Sequence, residues 1–246
     1  MKILAVDTAS KTASVCLAES DGKSVKLIAE HTAVPRSHAQ SLLGMIRSVI
    51  ETSDNTPEDV DVYAAVTGPG SFTGIRIGVS TIKGFALADG KPCVGVSSLE
   101  ALALSCRSIS GIIVPALDSR RDTYYTAMFY SDGSGNVERL SEDAQLTSDE
   151  LLGALREKLG DGGAAYMPGD ALNALGKRAA EYGITLNGDA AYPHSAYGAA
   201  CAAVKLLANG DAQRYTAAEM NPVYLKKCQA ERERDERIAA ETTGKI

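Results

Sequence analysis

Hydrophobic residues fall along the chain in short runs closed by turn residues, and their spacing shifts between strand and helix periods. Lys2 to Val6 reads as a strand ending in Asp7-Thr8, Ala13 to Ala18 as a second and Val25 to His31 as a third. Ser37 then opens a helix to about Ser53, with Gln40 at the capping-box spacing. Its apolar residues Leu42, Leu43, Met45, Ile46, Val49 and Ile50 span an arc wider than one buried stripe, which predicts a helix covered on two faces. The β-rich run Val62 to Thr67 ends in Gly68-Pro69-Gly70. A second helix follows from Thr73 to about Ala88 and stops at Asp89-Gly90-Lys91-Pro92. Cys93 to Val96 reads as a strand and Ser97 to Ser105 as a helix.

The same plan recurs in the second half. Gly111 to Leu117 is apolar, ends in Asp118-Ser119 and is followed after a charged turn by the strand Thr123 to Tyr130, so Asp118-Ser119 aligns with Asp7-Thr8. Ala64 to Gly70 has its counterpart in Ala164 to Gly169, where Pro168-Gly169 precedes a helix over Asp170 to Tyr182. Leu146 to Leu159, started by Thr147 or Ser148, and Ser195 to Ala208 read as further helices, with a turn at Asp161-Gly162-Gly163. The pattern predicts an α/β protein of two similar halves, each a mixed sheet covered by helices. Residues 1–109 form the first half, 110–225 the second, and 226–246 a charged tail with Arg232/Glu236 and Glu233/Arg237 at helical spacing.

Composition narrows the function. A chain of 246 residues, 45% hydrophobic, can bury a core in one domain or two closely joined ones. No segment has the apolar length of a membrane span, and Asp7 interrupts the opening run before a signal-peptide core forms, so a cytoplasmic protein without a membrane partner is expected. Cys16, Cys93, Cys106, Cys201 and Cys228 make no C-x-x-C pair, which predicts reduced thiols, mostly buried. The formal charge of −6 gives no broad attraction to phosphate backbones, so a nucleic acid would be held mainly by a partner.

The densest chemical signal is Gly68 to Gly78, GPGSFTGIRIG. Gly68 and Gly70 permit backbone angles closed to other residues, and Ser71 or Thr73 can cap the helix. Gly74 and Gly78 each cost about 1 kcal/mol relative to alanine inside a helix and so imply close approach of another backbone. Such a junction serves either as a structural turn or as a phosphate cradle. It lacks the G-K-[ST] of a Walker loop and the spacing of a Rossmann fingerprint. Asp7 and Asp118, each at a strand end beside a hydroxyl residue, either cap turns or hold magnesium between the halves. His31, His38 and His194 have no metal-ligand spacing, and Gly70 to Gly74 lacks the G-x-S-x-G elbow. His38 is read as a helix-surface residue, with donation to a partner as the alternative. Arg76, near the positive end of a helix, calls for a carboxylate or phosphate partner, or lies over apolar surface.

Five stretches carry a resemblance: ILAVDTAS at Ile3 to Ser10, VTGPGSFTGIRIGVSTIKGFALA at Val66 to Ala88, GVSSLEALA at Gly95 to Ala103, PALDSRRDTYYTAMF at Pro115 to Phe129, and NPVYLKK at Asn221 to Lys227. In these the chain resembles the TsaB (YeaZ) family, bacterial partners of TsaD in forming threonylcarbamoyladenosine (t6A) on tRNA. The resemblance implies a duplicated actin-like, sugar-kinase-like (ribonuclease H-like) fold. It also implies a non-catalytic subunit that pairs with TsaD, is joined by the ATPase TsaE, and meets tRNA only within the complex. The implied pairing surface is Ser37 to Ile50 with Ser71 to Phe85, namely Ser37, His38, Leu42, Met45, Ile46, Val49, Ser71, Phe72, Gly74, Ile75, Gly78, Thr81 and Phe85. A homodimer through the same helices is expected when the partner is missing. No cofactor is required. Weak ATP or ADP with magnesium at the cleft or the subunit interface is the alternative, with Asp7, Thr8, Gly68, Gly70 and Asp118 as its candidate residues. A glycoprotease-like activity, suggested by kinship to TsaD, lacks its metal ligands here.

Overall fold

The computed structural model describes residues 1–188, 196–210 and 215–225. Its first sheet comprises β1 (Lys2–Asp7), β2 (Ala13–Ser20), β3 (Val25–Ala33), β4 (Val62–Gly68) and β5 (Cys93–Ser97), in the order β3-β2-β1-β4-β5. The first three strands are antiparallel, as short turns allow. β4 and β5 join in parallel because the chain crosses over through α1 (His38–Thr52) and α2 (Phe72–Asp89).

The second sheet repeats this order with β6 (Gly111–Ile113), β9 (Phe129–Ser131), β10 (Val137–Arg139), β12 (Ala164–Tyr166) and β13 (Thr185–Asn187), arranged β10-β9-β6-β12-β13 with the same senses. The fold is thus the duplicated actin-like one. Two of its strands are broken. Pro115, without an N–H, separates β6 from β7 (Ala116–Asp118). Met128 separates β8 (Thr123–Thr126) from β9, its carbonyl accepting from the N–H groups of both Leu140 and Ser141. β7, β8 and β11 (Ala144–Thr147) then form a small sheet of their own, so the two uninterrupted strands expected at 111–117 and 123–130 are each two.

Helix starts follow their caps. Ser71 accepts from the N–H of Gly74 at α2, and Ser97 from Leu99 and Glu100 at α3 (Ser98–Ser105). Thr147 and Glu150 form a capping box at α4 (Ser148–Leu159). The box expected from Ser37 and Gln40 is not made, since Ser37 gives no side-chain cap. The helix expected over Asp170 to Tyr182 is α5 (Leu172–Ala179) followed by one 3-10 turn.

The layers explain the burial. α1 and α2 pack together on the first sheet, while α3 and α6 (Ala196–Asn209) pack together between the two sheets. Those two share a core with Ile113, Leu117, Phe129 and Val137 of the second half. Leu151, Leu152 and Leu155 of α4 and Leu175 of α5 form a separate core with Val114, Ala165 and Met167. α3 and α6 touch closely, because a β-carbon on Gly198 would run into the Ala101 carbonyl.

The pattern assigns residues 110–225 to the second half, yet 196–210 and 215–225 return to the first. The N–H of Ala196 donates to Ser14 Oγ (3.0 Å), that of Cys93 to the Tyr215 carbonyl (2.8 Å) and that of Val223 to the Thr67 carbonyl (2.8 Å). The alanine-rich surface of α6 is what lets a helix sit this close to two sheets. The tail helix expected over Lys226 to Arg237, Cys228 and His194 lie outside the described residues. Cys16, Cys93, Cys106 and Cys201 are buried. Among the described residues no helix is long and apolar enough to cross a membrane.

Candidate functional site

The glycine turn is held by the turn after β1. Gly70, at φ +155°, lies against Ala9, whose carbonyl accepts from the N–H of Ser71 at 2.6 Å. Thr8 occupies the space that Gly74 and Gly78 leave, its carbonyl against the first and its hydroxyl against the second. That hydroxyl donates to the Gly74 carbonyl at 2.7 Å. The close approach expected for these glycines is therefore made within the chain, by the turn after β1 rather than by a partner. Gly68, at φ +124°, faces the Val223 carbonyl. The second half repeats the device, with Gly169 (φ +122°) backed against the Ala116 carbonyl.

The two aspartates differ in exposure. Asp7 is fully buried and accepts from the N–H of Ala9 at 2.9 Å. Asp118 is exposed, accepts from the N–H of Arg120 at 2.7 Å, and has its own N–H held by Asp170 at 2.8 Å. Each carboxylate thus caps its own turn. Asp118 also lines a pocket of about 420 Å³ with Arg120, Arg121, Asp122, Tyr124 and Asp170. Arg120, Arg121 and Asp122 all have positive φ there (71°, 59° and 55°), a strained left-handed run. Among the described residues no three His, Cys, Asp or Glu side chains are placed to hold a metal.

The structure corrects the reading of the first helix. Leu42, Met45, Ile46, Val49 and Ile50 are all buried against the chain's own sheet and only Leu43, 59% exposed, faces outward, so the wide apolar arc is one face. A partner cannot reach Met45, Ile46 or Val49. Gly74, Ile75 and Gly78 are buried as well. Phe85 stacks on Tyr63 at 5.9 Å between ring centroids. His38 is half-buried, and its Nε2 donates to the Ser10 carbonyl at 3.0 Å, tying α1 to the turn after β1. Of the expected pairing residues, Ser71 and Phe72 are exposed, and Ser37, His38, Thr81 and Phe85 are half-buried.

What remains between the helices is an open groove of about 490 Å³, lined on α1 by Ala39, Leu42 and Leu43 and on α2 by Phe72, Thr73, Arg76, Ile77, Ser80 and Thr81. Among the described residues Arg76 is its one charged lining residue, and its partners there are not anions. The guanidinium lies 3.8 Å from the centroid of the Phe72 ring and 5.6 Å from that of Tyr224, and Nε donates to Tyr224 Oη at 2.8 Å. The two rings are 4.9 Å apart. Tyr224 was not among the expected site residues. Its signal is the NPVY phrase, which becomes readable only once residues 220–224 are seen crossing the glycine turn, where Lys83 Nζ also donates to the Met220 carbonyl at 3.1 Å. Beneath this segment burial pushes the Cys93 thiol up to about 11.

Three comparisons bear on this arrangement. The family model described as "TsaD: tRNA N6-adenosine threonylcarbamoyltransferase" matches residues 28–241. The Bacillus subtilis tRNA threonylcarbamoyladenosine biosynthesis protein TsaB is 35% identical over 159 residues, 64% of this chain and 67% of that protein. Its Escherichia coli namesake is 36% identical over 137 residues, which are 55% of this chain and 58% of that one. Among solved structures, YeaZ from Pseudomonas aeruginosa superposes with a TM-score of 0.75 at 26% identity, covering 91% of this chain and 99% of that one. With the repeated strand order and the glycine turn, these matches establish that the chain belongs to the TsaB (YeaZ) family, within the wider group described by the TsaD model.

Proposed function

We propose that the chain is a non-catalytic subunit in the formation of t6A on tRNA, pairing with a TsaD-type protein through the groove between α1 and α2. A TsaE-type ATPase joins the pair, and tRNA is met only within the assembly. The single observation that carries this reading is the open groove rimmed by two exposed apolar side chains, Leu43 (59%) and Phe72 (42%). The match to the TsaD model argues for the occupant: a partner built on the same plan has a corresponding helix pair, and two such pairs close as a pseudo-twofold four-helix contact. A second copy of the chain covers the same face when no partner is present. The contact should bury about 1,200 to 2,000 Å² in total.

The runner-up is a nucleotide-using enzyme, favoured by one observation, the Asp118 pocket. Against it stands the first half of the cleft, where Asp7 is buried and Gly70 and Gly74 are already filled by the chain's own backbone. On the preferred reading the chain needs no cofactor of its own, and any ATP or ADP with magnesium is bound weakly.

The test is co-expression with a TsaD-type protein from the same source, size exclusion, and reconstituted threonylcarbamoyl transfer with a TsaE-type protein. Wild type is expected to co-elute and to be required for transfer, and Leu43→Asp to do neither while staying folded. If Asp118→Ala stops transfer while the complex still assembles, the pairing-subunit reading fails and the cleft is an active site.

A further inference from the structure

Arg76 sits near the positive end of α2, where the helix dipole opposes a cation, yet no carboxylate among the described residues pairs with it. It is held by ring faces and by one phenol. The guanidinium lies against the Phe72 ring with the Tyr224 ring beside it, and the Tyr224 hydroxyl accepts from Nε. An arginine fixed in this way loses little further freedom on binding, and its two terminal nitrogens keep their donors. Tyr224 is itself held in place from behind, by the hydrogen bonds of Val223 to Thr67 and of Lys83 to the Met220 carbonyl. With 41% of its surface exposed, it continues the apolar rim of Leu43 and Phe72 beyond the two helices.

We propose that Arg76 is the charged anchor of the docking face and Tyr224 its positioning residue, so that the groove selects an apolar helical surface carrying one carboxylate opposite Arg76. The inference rests on the pairing role proposed above and adds the chemistry of the partner's contact. Charge complementarity argues for it: the groove has apolar and hydroxyl-bearing walls and one guanidinium. An acid brought there gains a bidentate partner in the two terminal nitrogens, which the Tyr224 contact leaves open. The segment at 220–224 becomes a third element of the interface, and its sequence a determinant of partner choice.

The experiment measures partner affinity by calorimetry at low and high salt, with the melting temperature of each variant, for wild type, Leu43→Asp, Arg76→Gln, Arg76→Lys and Tyr224→Phe. Arg76→Gln is expected to weaken binding by about tenfold or more at low salt and to lose most of the salt dependence. Arg76→Lys should keep the salt dependence at reduced affinity. Tyr224→Phe retains the ring and loses only the hydroxyl, and should fall between wild type and Arg76→Gln with an unchanged melting temperature. If Leu43→Asp abolishes binding while Arg76→Gln binds like wild type with the same salt dependence, the anchor is wrong and the docking face stands. If Leu43→Asp binds normally, the docking face is wrong and the anchor falls with it. Should Arg76→Gln prove unstable, Arg76→Lys decides, because a salt-independent affinity in that variant overturns the proposal.

Discussion

The carbonyl oxygen of Thr8 stands where a β-carbon on Gly74 would have to go. Both are backbone positions on packed elements, so neither yields cheaply. Gly74→Ala is expected to cost about 3 kcal/mol, measured by urea denaturation. The control is Gly84→Ala on the same helix, where nothing lies within 4 Å. That change should stabilise by about 0.5 to 1 kcal/mol through helix propensity.

Gly78 belongs with Gly74, because its missing side chain makes room for the Thr8 hydroxyl. Gly78→Leu is therefore expected to disrupt the monomer, and loss of pairing in that variant would say nothing about a partner surface. Circular dichroism of the isolated variant checks this.

The two sides of α1 should respond oppositely to the same change. Met45 is 3% exposed and Leu43 59%. Met45→Asp buries a charge in the core and should cost about 3 kcal/mol or more, whereas Leu43→Asp should leave the melting temperature nearly unchanged. A thermal melt of both separates them.

Alkali should destabilise the fold. Burial raises the Cys93 thiol from an ordinary value of 9.0 to about 11, and raises the Tyr63 phenol too, with its hydrogen bond to Asp89 adding to the effect. Between these values the folded chain holds protons that the unfolded chain has released, so its stability falls as pH rises. Stability should be level up to about pH 9 and drop toward pH 11, read from urea midpoints across that range. In Cys93→Ala the part of the decline due to the thiol should be missing.

The two sheets are fastened by a charged cluster. Arg139 pairs with Asp143 at 2.6 Å and Glu100 at 3.4 Å, its side chain 24% exposed and theirs 17%. It also lies 4.7 Å from the Phe129 ring centroid, and Lys205 of α6 reaches Glu100 at 3.2 Å. Arg139→Met is expected to cost about 2 kcal/mol, because it removes the guanidinium from two carboxylates that are mostly out of water, leaving Glu100 to Lys205 and Asp143 to the Ser97 hydroxyl. Urea denaturation measures it.

Those elements whose signals are local were legible in the sequence. Thr147 announces α4, Gly90 and Pro92 end α2, and Pro168-Gly169 marks the repeat of Pro69-Gly70. Signals that depend on what lies across the fold were not. Apolar spacing in α1 cannot reveal that Leu42, Met45, Ile46, Val49 and Ile50 share one broad buried face, since the width of the face is set by the sheet beneath. The spacing of Gly74 and Gly78 shows that something approaches, but not that it is Thr8. The breaks at Pro115 and Met128 depend on strand pairing, and the proximity of Arg76 to Tyr224 joins residues 148 positions apart.

The return of α6 has a consequence for biosynthesis. The inner face of the first sheet is completed by residues 196–209, so a growing chain has made all of β1 to β5 before that face can be covered. At about 5 to 20 residues per second, the roughly hundred residues between β5 and α6 leave it open for some five to twenty seconds. During that interval an apolar surface of Ile, Val and Ala is within reach of chaperones and of neighbouring nascent chains. The amino-terminal half made by itself would keep that surface permanently open, which makes a chain that includes α6 the smallest unit to express.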